Sequence, residues 1–261
     1  MNDRPRQQII TLIAITLTFG SGAMDVVSFT RLGNAFTSVM TGNIVLGGLA
    51  AARGSASLAS HAAVAIVGYL AGVAGGTWIA HGFGAAGPGG DTSRARVLPA
   101  HIRWTLLAEL ILLAGFTLGW EVTRASPAGW AEFTLLAVAA EAMGVQAAAV
   151  KETGLTDVST TFLTGTLTGL ISSLASPGQD TPHGLRQLGV LLGLLAGAGL
   201  SGLLIATAAA SAPALTLAAL VITLALASIP MPLTRLAVPG QGGQRDHGKK
   251  EPGLETPSDA K

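Results

Sequence analysis

The pentapeptide Val39-Met40-Thr41-Gly42-Asn43 is matched about 123 residues later by Phe162-Leu163-Thr164-Gly165-Thr166, in a chain of 261 residues. Both copies place a Thr-Gly pair inside an apolar segment, between two longer apolar runs. We interpret this pattern as a duplicated membrane domain. The first repeat is predicted to cover residues 9–122 and the second repeat residues 130–230.

The composition is typical of a protein that resides in lipid. Hydrophobic residues make up 49% of the chain and charged residues only 11%, and long stretches carry no charge. The net charge of +1 comes from scattered residues, whereas nucleic acid binding needs a concentrated basic face. The sequence has no cysteine, which excludes disulfides, thiolate catalysis and Cys-ligated zinc.

Six apolar runs are long enough to cross a hydrocarbon core of about 30 Å, which takes roughly 20 helical residues. They cover residues 8–28, 59–81, 103–120, 130–150, 185–207 and 211–230. Residues 1–8 are predicted to be a cytoplasmic N-terminus. Residues 235–261 are rich in Gly, Pro, Lys, Glu and Gln and cannot bury apolar surface, so they are predicted to be a disordered cytoplasmic tail. The predicted fold class is an all-α polytopic membrane protein.

Each Thr-Gly pair lies in a segment that could either cross the membrane or dip in and return, residues 35–52 in one half and 158–175 in the other. The positive-inside rule favours re-entry. With both segments re-entrant and a cytoplasmic N-terminus, 12 of the 15 Lys and Arg residues are inside, against 10 if both segments cross. A repeat with three crossings must be inverted relative to its copy. We therefore expect inverted three-helix repeats, with a parallel four-crossing arrangement as the alternative.

A second mark of duplication is a glycine at every fourth residue of one helix in each half. The set Gly68, Gly72 and Gly76 recurs 121 residues later as Gly189, Gly193 and Gly197. Such a stripe lets two helix backbones approach closely in lipid. It is predicted to pack helices tightly, either within the chain or between the subunits of a homo-oligomer.

Three acidic residues lie inside predicted spans, where a carboxylate at a helix centre costs about 2.5–3.5 kcal/mol. Glu141 is the most central, so it must face protein, water or a proton. Glu141 and Asp25 are candidates for coupling to a proton or cation, and an interhelical hydrogen bond is the alternative for each. Glu109 lies nearer the start of its span, which favours the structural role. Gln146 and Asp25 occupy near-equivalent places in the two halves and suggest a shared pocket.

The Thr-Gly segments provide the other half of the predicted site. Glycine permits a break in a helix, and threonine hydroxyls can replace the backbone partners that a broken helix loses. In transporters with inverted repeats, broken elements meet at the membrane midplane and bind the substrate. The predicted translocation site comprises Asp25, Thr41, Gly42, Asn43, Glu141, Gln146, Thr164, Gly165 and Thr166. The alternative is that the threonines cap turns between ordinary helices.

Motifs for catalysis are missing from the sequence. It has no Gly-x-Ser-x-Gly, no His-Glu-x-x-His and no phosphate-binding loop, and its five histidines lack metal-ligand spacing. We therefore expect no enzyme activity, no catalytic residue, no metal and no cofactor.

Four motifs are shared with a known family. They are Gly-Ala-Met-Asp at 22–25, Met-Thr-Gly-Asn at 40–43, Glu-Ala-Met-Gly-Val-Gln-Ala at 141–147 and Thr-Thr-Phe-Leu-Thr-Gly-Thr-Leu at 160–167. On these motifs the chain resembles the YoaK-type bacterial integral membrane proteins, over residues 8–230. The resemblance implies a membrane location, about six helices and a role in small-molecule efflux.

These observations predict a secondary transporter or exporter of an unidentified small molecule in the bacterial cytoplasmic (inner) membrane. Coupling to protons would run through Glu141 or Asp25. Its partners would be the lipid bilayer, the solute and, through the glycine faces, a second copy of the chain. The alternative is a non-catalytic membrane scaffold or partner-binding subunit, which predicts dry and inaccessible Thr-Gly segments.

Overall fold

The computed structural model describes residues 4–84, 95–153, 163–175 and 181–231. Its α-helices are α1 (Arg4–Arg31), α2 (Met40–Arg53), α3 (Ala56–Gly84), α4 (Ala100–Val122), α5 (Trp130–Glu152), α6 (Leu163–Ala175), α7 (Thr181–Thr207) and α8 (Ala212–Ala227). All except α2 and α6 are long and apolar enough to cross a membrane, α8 together with the 3₁₀ turn Ala209–Ser211 that precedes it. The six predicted spans and the all-α polytopic class are confirmed. The predicted disordered tail, residues 235–261, lies outside the described residues.

The two Thr-Gly segments form the short helices. With 14 residues in α2 and 13 in α6, a rise of 1.5 Å per residue gives each a length of about 20 Å, less than a hydrocarbon core. Each helix begins within one residue of its Thr-Gly pair. Gly54, in the left-handed conformation with φ 61°, caps the end of α2, and only Gly54 and Ser55 separate α2 from α3. The two helices therefore form a tight hairpin. Residues 158–162 of the second segment lie outside the described residues.

The chain before α4 meets the chain after α8 in a minimal antiparallel β pair. Strand β1 (Ala95–Arg96) pairs with β2 (Pro230–Met231), and Leu98 N donates to Ala227 O at 3.4 Å. At the opposite end of the same helices, Trp120 Nε1 donates to Ala209 O at 3.0 Å. Helices α4 and α8 are therefore antiparallel neighbours.

Helices α1, α4, α5 and α8 form the centre of the molecule. Helix α3 packs outside them on α5, and α7 packs outside them on α1. The short helices lie furthest out, with α2 on α3 and α6 on α7. The core between the central helices is filled by apolar side chains that are almost fully buried, among them Met24, Leu106, Phe116, Leu136 and Leu220.

Glycines bring α3 into backbone contact with α5. A Cβ atom at Gly68 would lie 2.7 Å from the carbonyl oxygen of Ala137, and one at Gly72 would overlap the carbonyl group of Glu141. No larger residue fits at either position unless the helices separate. The residue numbers of the two helices rise together along the contact, so α3 and α5 are parallel.

Helices α7 and α1 repeat this arrangement. A Cβ atom at Gly193 would lie 2.9 Å from the carbonyl oxygen of Ile15, and one at Gly197 would overlap the carbonyl group of Phe19. The numbers again rise together, so α1 and α7 are parallel. The glycine stripes therefore pack helices within one chain, which is one of the two predicted uses.

Candidate functional site

A polar layer crosses the apolar centre of the bundle. Ser21 Oγ on α1 donates to Gln146 Oε1 on α5 at 2.7 Å, and Gln146 Nε2 donates to Glu109 Oε1 on α4 at 3.0 Å. Helix α8 joins at the same level, because Thr216 Oγ1 donates to the carbonyl oxygen of Gly20 at 3.1 Å. Each central helix thus contributes a buried polar side chain. We call Ser21, Glu109, Gln146 and Thr216 the central polar layer.

Glu109 is the acidic member of this layer. Its side chain is 0% exposed, yet its Oε2 atom has no hydrogen-bond partner among the described residues. Buried polar atoms are nearly always paired in folded proteins, so an unpaired carboxyl oxygen marks a site that a proton, water or ligand can complete.

The sequence pointed to Gln146 but favoured a structural role for Glu109. Glu109 is the tenth residue of the 23-residue α4, about 14 Å from the helix start at 1.5 Å per residue. The predicted apolar run begins at residue 103, three residues after the start of α4. Counting from residue 103 therefore underestimated the distance of Glu109 from the start of its helix. The sequence signal that could have indicated this pair is a carboxylate, Glu109, and a carboxamide, Gln146, in consecutive spans.

A second polar cluster surrounds Asp25. Its Oδ1 atom accepts hydrogen bonds from Thr37 N at 2.8 Å, Thr37 Oγ1 at 2.9 Å and Ser38 N at 2.8 Å, and its Oδ2 atom accepts one from Ser38 Oγ at 2.5 Å. A carboxylate has about four acceptor positions. Four donors from the chain itself therefore saturate Asp25, which fixes residues 37 and 38 against α1.

The segment between α1 and α2 runs back along α1. Ser28 Oγ donates to Ala35 O at 2.9 Å, while Asp25, about one turn earlier in α1, binds residues further along the segment. Asn43, fully buried in the first turn of α2, holds the same segment from the other side. It accepts from Phe36 N at 2.9 Å and donates to Phe36 O at 2.7 Å. Gly42 beside it would place a Cβ atom 3.1 Å from the Phe36 ring.

A histidine fixes the start of this segment to two other helices. His61 on α3 packs against Gly33, where a Cβ atom would overlap the imidazole ring. The same ring stacks on Phe133 of α5 with centroids 4.2 Å apart, and its Nε2 atom lies 3.3 Å from a carboxylate oxygen of Glu132. The ends of α1, α3 and α5 that meet here therefore lie at one level of the molecule.

The two clusters are connected by one face of α1. Thr18, Ser21, Asp25 and Ser28 follow one another at intervals of three and four residues, and all four are at least 93% buried. Side chains at this spacing line one face of a helix. The face leads from the central polar layer to the segment that Asp25 holds.

Glu141 lies outside these clusters. Its side chain is half-buried, on the same partly exposed face of α5 as Thr134 and Val138. Its backbone is part of the α3–α5 contact, but within the described parts of the chain no hydrogen bond reaches its carboxylate. The structure therefore separates Glu141 from Gln146, five residues later.

The Thr-Gly pairs do not meet. Thr41 on α2 and the pair Thr164 and Gly165 on α6 are exposed, while Thr166 is 4% exposed. Because α2 packs on α3 and α6 on α7, at opposite flanks of the bundle, the described residues provide no extended contact between the two short helices. Of the predicted site, the structure brings Asp25 and Asn43 together around residues 36–38 and places Gln146 in the central polar layer.

Within residues 4–84, 95–153, 163–175 and 181–231, no three His, Asp or Glu side chains are grouped so that they could hold a metal ion. The polar groups of the central layer are a carboxyl, a carboxamide and hydroxyls. Their chemistry is hydrogen bonding and proton exchange.

Comparison with known proteins gives a family and one curated relative. A family model described as "Protein of unknown function (DUF1275)" matches residues 13–228. The chain is 28% identical over 170 residues to the UPF0700 transmembrane protein YoaK of Bacillus subtilis (strain 168), an alignment that covers 65% of this chain and 68% of that protein. No solved structure matches the chain.

Proposed function

Since the chain belongs to the DUF1275 family of proteins of unknown function, its activity has to be inferred from its own residues, and we propose that it is a secondary transporter of a small molecule. The family match and the YoaK relative confirm the sequence resemblance and the multi-pass membrane character. We place the protein in the bacterial inner membrane with both termini cytoplasmic. The proposal includes no catalysis.

The observation that carries the proposal is the relation between the two halves. If α1, α2, α3 and α4 are exchanged for α5, α6, α7 and α8, each major helix contact becomes either another contact of the bundle or, for α4–α8, itself. The α3–α5 pair becomes the α7–α1 pair, the α4–α5 pair becomes the α8–α1 pair, and α2–α3 becomes α6–α7. Such an exchange supports two structural repeats related by a pseudo-two-fold axis.

The direction of the helices supports an inverted relation. Near one end of the bundle, Gly33 after α1 and Glu132 at the start of α5 both adjoin His61. Nearer the middle, Ser21 meets Gln146. From that end toward the middle, the residue numbers fall along α1 and rise along α5. These two equivalent helices are therefore antiparallel. Inverted repeats allow one structure to open to either side of a membrane by exchanging the conformations of its halves.

Contacts around α2 favour re-entry over crossing. Gly33 lies just after the end of α1, and His61 lies five residues after the start of α3. The two residues are in contact although the whole of α2 lies between them in the chain. Had α2 crossed a core of about 30 Å, the beginning of α3 would lie at the opposite surface. Irregular backbone at membrane depth is tolerated where protein groups satisfy and cover it. The side chains of Asp25, Ser28 and Asn43 supply hydrogen bonds to the irregular backbone between α1 and α2.

A second function, a membrane scaffold, is favoured by one specific observation. Asp25 in α1 and Asn43 in α2 have all or nearly all of their hydrogen bonds made within the chain. Internal satisfaction of this kind is what a dry structural protein needs. The scaffold and the transporter differ in whether water reaches the central polar layer.

Thiol labelling at Ser21 distinguishes these functions. The chain has no cysteine, so Ser21→Cys introduces a unique thiol at a position that is 0% exposed. In sealed vesicles of both orientations, a transporter with alternating access should expose this thiol to a small membrane-impermeant reagent from either side. A scaffold should protect it from both sides.

Two variants serve as controls, one for the reactivity of the reagent and one for nonspecific opening of the helix bundle. Ser126→Cys, in the exposed connection between α4 and α5, should react from one side only. Ala139→Cys, in a fully buried apolar position of α5, should remain unreactive. Protection of Ser21→Cys from both sides, with Ser126→Cys labelled, would contradict transport and favour the scaffold.

A further inference from the structure

We propose that the Glu109 carboxyl in the central polar layer is a proton-binding site, which the protein loads and empties as the layer opens to water. The coupling of this proton to solute movement rests on the proposed transport function. The binding of the proton itself does not, because it follows from the surroundings of Glu109.

The first step is the position of the carboxyl. Glu109 lies about 14 Å from the start of α4 and about 20 Å from its end at 1.5 Å per residue, and its side chain is 0% exposed. A glutamate side chain is too short to reach either membrane surface from there. Its charge state must therefore be accommodated inside the protein.

The second step is the number of hydrogen bonds that the carboxyl receives. Gln146 Nε2 donates to Oε1 at 3.0 Å, and Oε2 has no partner among the described residues. An ionised carboxylate buried with a single neutral donor is strongly disfavoured relative to the neutral acid. Asp25 illustrates the opposite case, since four donors surround it. Glu109 therefore fits the neutral acid, with its proton on Oε2.

The third step is the charge around the site. The titratable and charged residues of the helices packed against α4 are Glu132, Glu141, Lys151 and Glu152 on α5 and His61, Tyr69 and His81 on α3, while α8 has none; α4 itself carries His101, Arg103 and Glu121. Among the described residues none of these forms an ion pair with Glu109, and the ion pair found between His61 and Glu132 lies at the end of the bundle. Within the described parts of the chain, no cationic side chain is paired with the Glu109 carboxyl.

The fourth step is the means by which water could reach the proton. Gln146 connects Glu109 to Ser21, and the polar face of α1 continues from Ser21 through Asp25 to Ser28. The hydroxyl groups of this face can accept water when helices separate. Glu109 is then hydrated and can lose the proton, whereas closure of the layer requires the proton to be restored.

Infrared spectroscopy of the full-length protein in lipid bilayers tests the proposal without a known solute. The carbonyl stretch of a protonated carboxyl group is separate from that of a carboxylate. We expect a protonated-acid band that disappears in alkaline buffer and shifts in heavy water, and that is lost in Glu109→Gln. The matched variant Glu121→Gln changes an exposed glutamate of the same helix and should keep the band.

Three outcomes would overturn the proposal. They are a Glu109 band that neither titrates nor shifts in heavy water, the absence of any band that depends on Glu109, and loss of the titrating band in Glu141→Gln with its retention in Glu109→Gln. If Glu109→Gln does not accumulate in membranes, Glu109→Asp serves instead, since it keeps an acid but moves the band. If the Glu109 band titrates but Ser21→Cys is protected from both sides, transport alone is refuted. If Ser21→Cys is accessible from either side but no titrating band depends on Glu109, this inference alone is refuted.

Discussion

Asp25 and Glu109 are both acidic residues buried in membrane-spanning helices, and their neighbours give them different roles. Asp25 receives four hydrogen bonds from two consecutive residues of one segment. Glu109 receives one, from another helix. A saturated carboxylate stabilises the backbone around it, whereas an unsaturated one remains available for a proton. We therefore assign Asp25 to the structure and Glu109 to proton binding.

Replacement of Asp25 tests this assignment at a single residue. Asp25→Ala leaves the backbone amides and hydroxyls of residues 37 and 38 without their acceptor, and we expect a loss of about 3 kcal/mol or more in stability. Asp25→Asn keeps one oxygen acceptor and should lose less. The measurement is the unfolding midpoint of the purified protein in detergent, compared between both variants and the unaltered chain.

Thr41→Val is the matched control for that series. Thr41 is exposed in the first turn of α2, next to the segment that Asp25 holds, so its hydroxyl should contribute less than about 0.5 kcal/mol. An Asp25→Ala protein as stable as Thr41→Val would contradict the structural role of Asp25.

At the scale of helices, glycines decide which elements can be neighbours. The sequence pairs Gly72 with Gly193 at an offset of 121 residues, whereas the contacts pair it with Gly197, 125 residues away, since both meet a carbonyl group of the partner helix in the same way. The difference is one step of the four-residue stripe. A stripe repeats its pattern at every step, so the sequence indicates its face but not its register.

Alanine substitution should separate the contact face of α3 from its other face. In Gly72→Ala the new methyl group overlaps the backbone of α5, so the helices must separate, at a cost of about 1–3 kcal/mol. Gly75→Ala, on the same helix, meets nothing within 4 Å and should be neutral or slightly stabilising. Unfolding midpoints of both variants in detergent provide the comparison.

Helix α7 offers an independent repetition of this experiment. Gly197→Ala should destabilise the protein as Gly72→Ala does, and Gly199→Ala should not, because a methyl group at Gly199 also meets nothing within 4 Å. Equal stability of all four variants would show that the close helix contacts are not formed in the membrane protein.

At the scale of the whole molecule, six spans with two short helices imply a definite sidedness. Ser55 lies between α2 and α3, Ser126 between α4 and α5, and Ala208 between α7 and α8. With a cytoplasmic N-terminus, re-entrant α2 and α6, and alternating spans, all three positions face the outside. The same arrangement leaves 12 of the 15 Lys and Arg residues inside, as the positive-inside rule favours.

Single cysteines at these three positions test the sidedness. Ser55→Cys, Ser126→Cys and Ala208→Cys should each react with an impermeant thiol reagent from the outer side of intact cells. If α2 instead crosses the membrane, Ser55→Cys and Ser126→Cys should both lie on the inner side, because two spans separate them, and neither should react from the outer side. That result would replace the inverted arrangement in the first half with a four-crossing one.

Hydropathy and glycine spacing are local properties of the chain, so the sequence was enough to predict the membrane class, the six spans and the two Thr-Gly segments. It ranked Glu141 above Glu109 by depth along a helix. Tertiary contacts were needed to show which acidic residue has partners, since Gln146 meets Glu109 and Ser21 across 37 and 125 residues of chain. The same contacts placed α2 on α3 and α6 on α7 rather than against each other. Depth depends on a residue's own helix, but hydrogen bonding in lipid depends on which helices become neighbours.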